Sequence, residues 1–133
     1  MVRYIVISLA GGVLFGIMDG LINANPLAHR LFEVYQPIAR TSLNVVVGIL
    51  IDIAYGFILA AIFLMLYKSL PGQSGILKGL SYAALVWFFR VVMQAASTWM
   101  MYRIPGTTIA YSLIAGLIEM MILGVLLGLT LKP

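Results

Sequence analysis

The sequence predicts an all-α integral membrane protein, a four-transmembrane-helix bundle with a short interfacial amphipathic helix between helices 1 and 2. Three observations carry this. The chain has 133 residues, 63% of them hydrophobic and only 9% charged, with a mean hydropathy of +1.11. No soluble domain of this size covers that much apolar surface with so few charges. The apolar residues fall into four runs, each of a length that crosses a hydrocarbon core of about 30 Å. Turn-forming residues separate the runs: Asn25-Pro26, Pro71-Gly72 and Pro105-Gly106. The expected spans are residues 4–25, 43–67, 79–102 and 108–131 of one transmembrane domain.

The first run, Tyr4–Asn25, follows the short basic start Met1-Val2-Arg3. It reads as a membrane span and not as a signal peptide, because it stays apolar to Met18 and no small-x-small cleavage site follows. Gly12, Gly16 and Gly20 recur every four residues on one face. Small-residue ridges of this kind let membrane helices approach closely. Packing inside the bundle is their first expected use and homodimerisation the second. Asp19 and Asn23 lie on or beside that face.

Pro26 forces Asn25 out of helical geometry and ends the span. In Pro26–Arg40, Leu27, Leu31, Val34 and Ile38 follow helical spacing, while His29, Arg30, Glu33 and Gln36 lie off that stripe. This pattern is that of a helix resting flat at the membrane surface and ending near Pro37. His29 is the only histidine and the chain has no cysteine. Haem or zinc would need more ligands than these, so neither a metal nor a cofactor is expected.

The second span, Leu43–Tyr67, carries Asn44, Gly48, Asp52 and Tyr55 or Gly56 along one stripe. The segment Lys68–Gly75 is the clearest loop. The third span, Gly79–Tyr102, has a single charge, Arg90, near its middle, and Gln94 and Ser97 follow at helical spacing. Trp99 and Tyr102 suit the interfacial aromatic belt. The fourth span, Thr108–Leu131, sets Ser112, Gly116, Glu119 and Leu123 on one face, with Gly124 and Gly128 beside it as packing glycines. In three places, Gly16 before Asp19, Gly48 before Asp52 and Gly116 before Glu119, a glycine lies one turn ahead of a carboxylate.

The formal net charge of +4 is spread along the chain. It suits anionic lipid headgroups and excludes a nucleic-acid footprint, which needs a clustered basic face. The charges inside the spans are Asp19, Asp52, Arg90 and Glu119. At about 1.5 Å per residue, Asp52, Arg90 and Glu119 lie roughly 14–18 Å from the face that holds Asn25 and Tyr102, and Asp19 roughly 9 Å from it. Arginine reach covers the difference, so the four groups form one candidate cluster. Asn23, Asn44, Gln94 and Ser97 are its candidate polar support.

A guanidinium at the centre of a bilayer is costly and must have partners. One carboxylate can pair with Arg90; the others must be neutral or face water. Carboxylates that titrate inside a bundle are the working parts of proton-coupled transporters. The competing reading is a hydrogen-bonded cluster that only fixes helix register.

The stretch Ile104-Pro-Gly-Thr-Thr-Ile-Ala-Tyr111-Ser-Leu-Ile-Ala-Gly116 resembles part of the small multidrug-resistance transporters, four-helix proton antiporters of similar size. In that family the stretch opens the third helix and the essential carboxylate is a glutamate in the first. Here the stretch opens the fourth span, and the first carries Asp19 toward its end. The resemblance spans about a tenth of the chain.

Two functions are therefore expected: a small proton- or ion-coupled transporter or channel working through the four charges, or a non-catalytic subunit or assembly factor of a larger membrane complex. Neither is an enzyme; a membrane-embedded enzyme ranks last, because no nucleophile–base pair is present. The expected partners are the lipid bilayer and further membrane subunits, either copies of this chain or a complex. Four spans put both termini on one side. Arg3, Lys68, Lys78 and Lys132 fall there, against Arg30, Arg40 and Arg103 on the other. By four to three the positive-inside rule predicts both termini cytoplasmic, with dual insertion the rival; the expected location is an inner (cytoplasmic) membrane of bacterial type.

Overall fold

The computed structural model describes residues 1–39, 42 and 44–133. Its elements are helices, with no strand among the described residues. Helix α1 is Val2–Ala24, α2 is Pro26–Leu31, α3 is Val45–Leu66, α4 is Gly75–Trp87, α5 is Met93–Met101 and α6 is Gly106–Thr130. A 3-10 turn over Glu33–Ile38 follows α2, and a π-helical turn over Phe88–Val92 joins α4 to α5. Four helices are long and apolar enough to cross a membrane: α1, α3, the continuous run Gly75–Met101, and α6.

Local chemistry sets the ends. Asn25 leaves α1 in extended geometry, and its side chain accepts a hydrogen bond from the Ala28 N–H at 2.8 Å, capping α2. Asn44 caps α3 through the Val47 N–H. Ser74 caps α4 through the Leu77 N–H, so the third span starts at Gly75 instead of Gly79. Before it, Gly72 turns the chain at φ 105°, a conformation open to glycine. Lys78 donates to the Tyr67 and Leu70 carbonyls at 2.7 and 2.9 Å, satisfying the orphan end of α3.

The segment after Asn25 departs from the single amphipathic helix expected there. It is two short pieces, α2 and the 3-10 turn, broken at Phe32. Pro37, lacking an N–H, keeps the second piece from winding as an α-helix. Leu27 and Ile38 are exposed, whereas Leu31 and Val34 are half-buried. The expected end of that helix at Arg40 and the expected start of the second span at Leu43 lie outside the described residues.

Two tight helix pairs build the bundle, α1 with α3 and α4 with α6, and α1 joins them by packing on α6. Each pair closes on glycines. A Cβ on Gly12 would stand 2.7 Å from the Ile53 Cα, and one on Gly56 would strike the Ser8 carbonyl. Gly75 and Gly79 face the Gly128 and Gly124 carbonyls in the same way. Between α3 and α4 the contact is aromatic: Phe63 and Tyr82 meet edge to face at 5.3 Å, and the Tyr82 hydroxyl donates to the Leu59 carbonyl at 2.7 Å. The core of Phe15, Phe63, Tyr82, Met120, Leu123 and Leu127 fills the half of the bundle nearer the termini. At the opposite end Val45–Leu50 are exposed on every side.

Candidate functional site

Arg90 lies inside the π-helical turn. A π turn inserts an extra residue, which costs hydrogen-bond geometry and persists only where packing demands it. Two contacts hold it here. Val91 fills the notch left by Gly116, where a Cβ would stand 2.8 Å from Val91 Cγ2. Trp87 Nε1 donates to the Leu113 carbonyl at 2.9 Å. With its neighbours tied to α6, Arg90 reaches across toward α1 and α3. Its guanidinium lies 4.8 Å from the centre of the Phe15 ring and 5.4 Å from that of Tyr55, within cation–π range. Phe15 and Tyr55 themselves stack at 5.3 Å.

Glu119 approaches from α6 and is 3% exposed, so it is one of the few buried polar side chains. Arg90 Nη1 stands 3.9 Å from Glu119 Oε1. That separation gives charge attraction but no hydrogen bond, and Oε1 is buried with no hydrogen-bond partner among the described residues.

Asp19 is the hub of the acids. Its side chain lies between Asp52 and Glu119, close enough for their charges to bear on one another. Asp52 reaches α1 because Gly16 makes room for it: a Cβ there would stand 3.0 Å from Asp52 Oδ2. Three carboxyls gathered around one guanidinium outnumber it, so full ionisation would leave negative charge uncompensated.

The supporting polar residues do not enclose this cluster. Asn23, Asn44, Gln94 and Ser97 are exposed. Asn23 donates to the Asp19 backbone carbonyl at 2.8 Å, and Asn44 caps α3. Gln94 and Ser97 follow the π turn. Of the glycines read as packing positions, Gly12, Gly124 and Gly128 meet backbone and Gly16 meets Asp52, whereas Gly20 has nothing within 4 Å. Phe15 and Val91 are site residues that the charge pattern missed, and Tyr55, read only as part of the Asp52 stripe, joins them. Phe15 lies four residues before Asp19 and Tyr55 three after Asp52, on the same helix faces. That spacing was the available signal.

Two openings flank the cluster. A groove of about 1420 Å³ runs between α1 and the free start of α3, bordered by Gly12, Gly16, Gly48 and Asp52. A cleft of about 330 Å³ opens between α3 and α4, with Tyr55, Leu59 and Ile62 on one wall and Leu85, Phe89 and Arg90 on the other. The Ile104–Gly116 stretch packs at one end of the bundle: Thr108 donates to the Leu31 carbonyl at 2.6 Å, and Phe32 meets Tyr111 edge to face.

Compared with known proteins, the chain matches no family model, no curated protein and no solved structure. The functional reading therefore stands on the site itself.

Proposed function

We propose that this chain is an integral membrane protein whose Asp19, Asp52, Arg90 and Glu119 exchange protons within the bilayer, as the coupling site of a small transporter or channel. The observation that carries this reading is the gathering of three carboxyls, Asp19, Asp52 and Glu119, beside a single arginine. Three acids to one base leave negative charge that protons, or a cation, must neutralise. The role is one of binding and conduction, not catalysis, and the chain has both termini in the cytoplasm of a bacterial-type inner membrane. The test is solute-dependent proton flux in proteoliposomes, with Asp19→Asn as the control. Flux that depends on solute and on Asp19 supports the reading.

One observation favours a second reading, a subunit or assembly factor of a larger membrane complex or a homo-oligomer. The first turns of α3 are exposed on every side, and among the described residues none comes within 4 Å of a Cβ placed on Gly48. A stoichiometric partner retained through purification from native membranes would favour this reading over the first.

A further inference from the structure

We propose that the cleft between α3 and α4 binds a lipophilic carboxylate, its anionic group held by Arg90 and its apolar body by Leu59, Ile62, Leu85 and Phe89. The inference deepens, and rests on, the reading of the charged cluster as a proton-exchanging site. Arg90 is the only cation within the four long helices apart from Arg3 and Lys78, which lie in their opening turns. It carries five N–H donors. Its contacts are two aromatic rings and Glu119 at 3.9 Å, and among the described residues none is a hydrogen bond. Donors left without acceptors at membrane depth are expensive. The side chain is 31% exposed, and it lines the cleft. The cleft is otherwise apolar along Leu59, Ile62, Leu85 and Phe89, and the Tyr82 hydroxyl is already spent on the Leu59 carbonyl. A mostly apolar pocket with one fixed charge selects an apolar molecule bearing the opposite charge.

The neighbouring acids do not forbid an anion, because they can take up protons. The titratable and charged groups around Arg90 are Asp19 from α1, Asp52 and Tyr55 from α3 and Glu119 from α6. On the proton-exchange reading, an external carboxylate that takes the place of Glu119 beside Arg90 leaves one acid uncompensated, and one proton from solution neutralises it. One anion and one proton therefore bind together, and the site stays neutral.

The test is calorimetric binding of 1-naphthoate and 1-naphthamide to the purified full chain in lipid nanodiscs, with empty nanodiscs as the blank. Naphthoate binding that is saturable, with the amide at least about tenfold weaker, is the expected result. Arg90→Gln should abolish the preference for the acid. Leu85→Trp, which fills the cleft without touching the charges, should weaken naphthoate binding by a similar factor; it keeps the test sharp if Arg90→Gln fails to fold. Equal binding of acid and amide, or naphthoate binding unchanged in Leu85→Trp, overturns the proposal. Repeating the titration in buffers of different ionisation enthalpy counts protons. Uptake of about one per naphthoate supports the coupling. Binding with no uptake leaves the anion site standing and overturns the proton-exchange reading on which the coupling rests.

Discussion

Arg90 and Glu119 face each other at 3.9 Å across the α4–α6 pair, paired in charge but without a hydrogen bond. The two partners are unequal when one is lost. Glu119 can protonate, whereas arginine stays charged at any accessible pH. Glu119→Leu should therefore cost up to about 3–5 kcal/mol, the usual loss on stranding a buried charge, reduced by the part that Asp19 and Asp52 take over. Arg90→Leu should cost less, and the double variant should recover part of the Glu119→Leu loss. Thermal unfolding of the purified singles and double in detergent measures this. Additive losses would mean that the two residues are not energetically coupled.

The packing glycines separate into two groups. Gly79 and Gly124 each face the other's carbonyl oxygen, so a side chain at Gly79 has only backbone to push against. Gly79→Leu should destabilise the fold by about 1–3 kcal/mol or more. Gly20→Ala and Gly48→Ala, which meet open space, should change stability by no more than about 0.5 kcal/mol. Melting temperatures of the three variants decide the matter, and an equal loss at Gly48 would reveal a partner on α3.

Gly16 presents a different case, because its neighbour is the carboxylate of Asp52 and not backbone. Gly16→Val should displace that carboxylate and lower proton flux by more than it lowers thermal stability. A variant that loses stability but conducts normally would remove Asp52 from the path.

Part of this architecture could be read from residue spacing alone. Antiparallel helices of known rise place Asp52, Arg90 and Glu119 at one depth by arithmetic, and Asn25, Ser74 and Pro105 punctuate the helices locally. The π turn at Phe88–Val92 could not be read this way, because it depends on Val91 finding the Gly116 notch in another helix. Extending the Arg90 stripe to Gln94 and Ser97 assumed an unbroken α-helical repeat through that turn. Gly75 and Gly79 were hidden for a related reason. They sit at the start of a span whose cap, Ser74, looked like part of the loop. Their role emerges only opposite Gly124 and Gly128.

Since the chain contains no cysteine, single cysteines can be introduced without background. Asn23→Cys, Asn44→Cys and Gln94→Cys are at exposed positions toward the open end of the bundle. A water-filled approach to the cluster predicts that a membrane-impermeant charged thiol reagent labels all three from that side only. Leu127→Cys in the core should stay unlabelled. Lack of labelling at Gln94 would mean that this face meets lipid.

Whether the acids exchange protons at all is the central claim, and infrared spectroscopy of the protein in nanodiscs tests it most directly. Protonated carboxyls have a C=O stretch distinct from the carboxylate bands. Proton exchange within the cluster predicts such a band, its loss as the medium is made more alkaline, and a marked weakening in Asp19→Asn. A carboxyl band that is absent throughout, or that persists unchanged across the same range and in Asp19→Asn, would contradict the account.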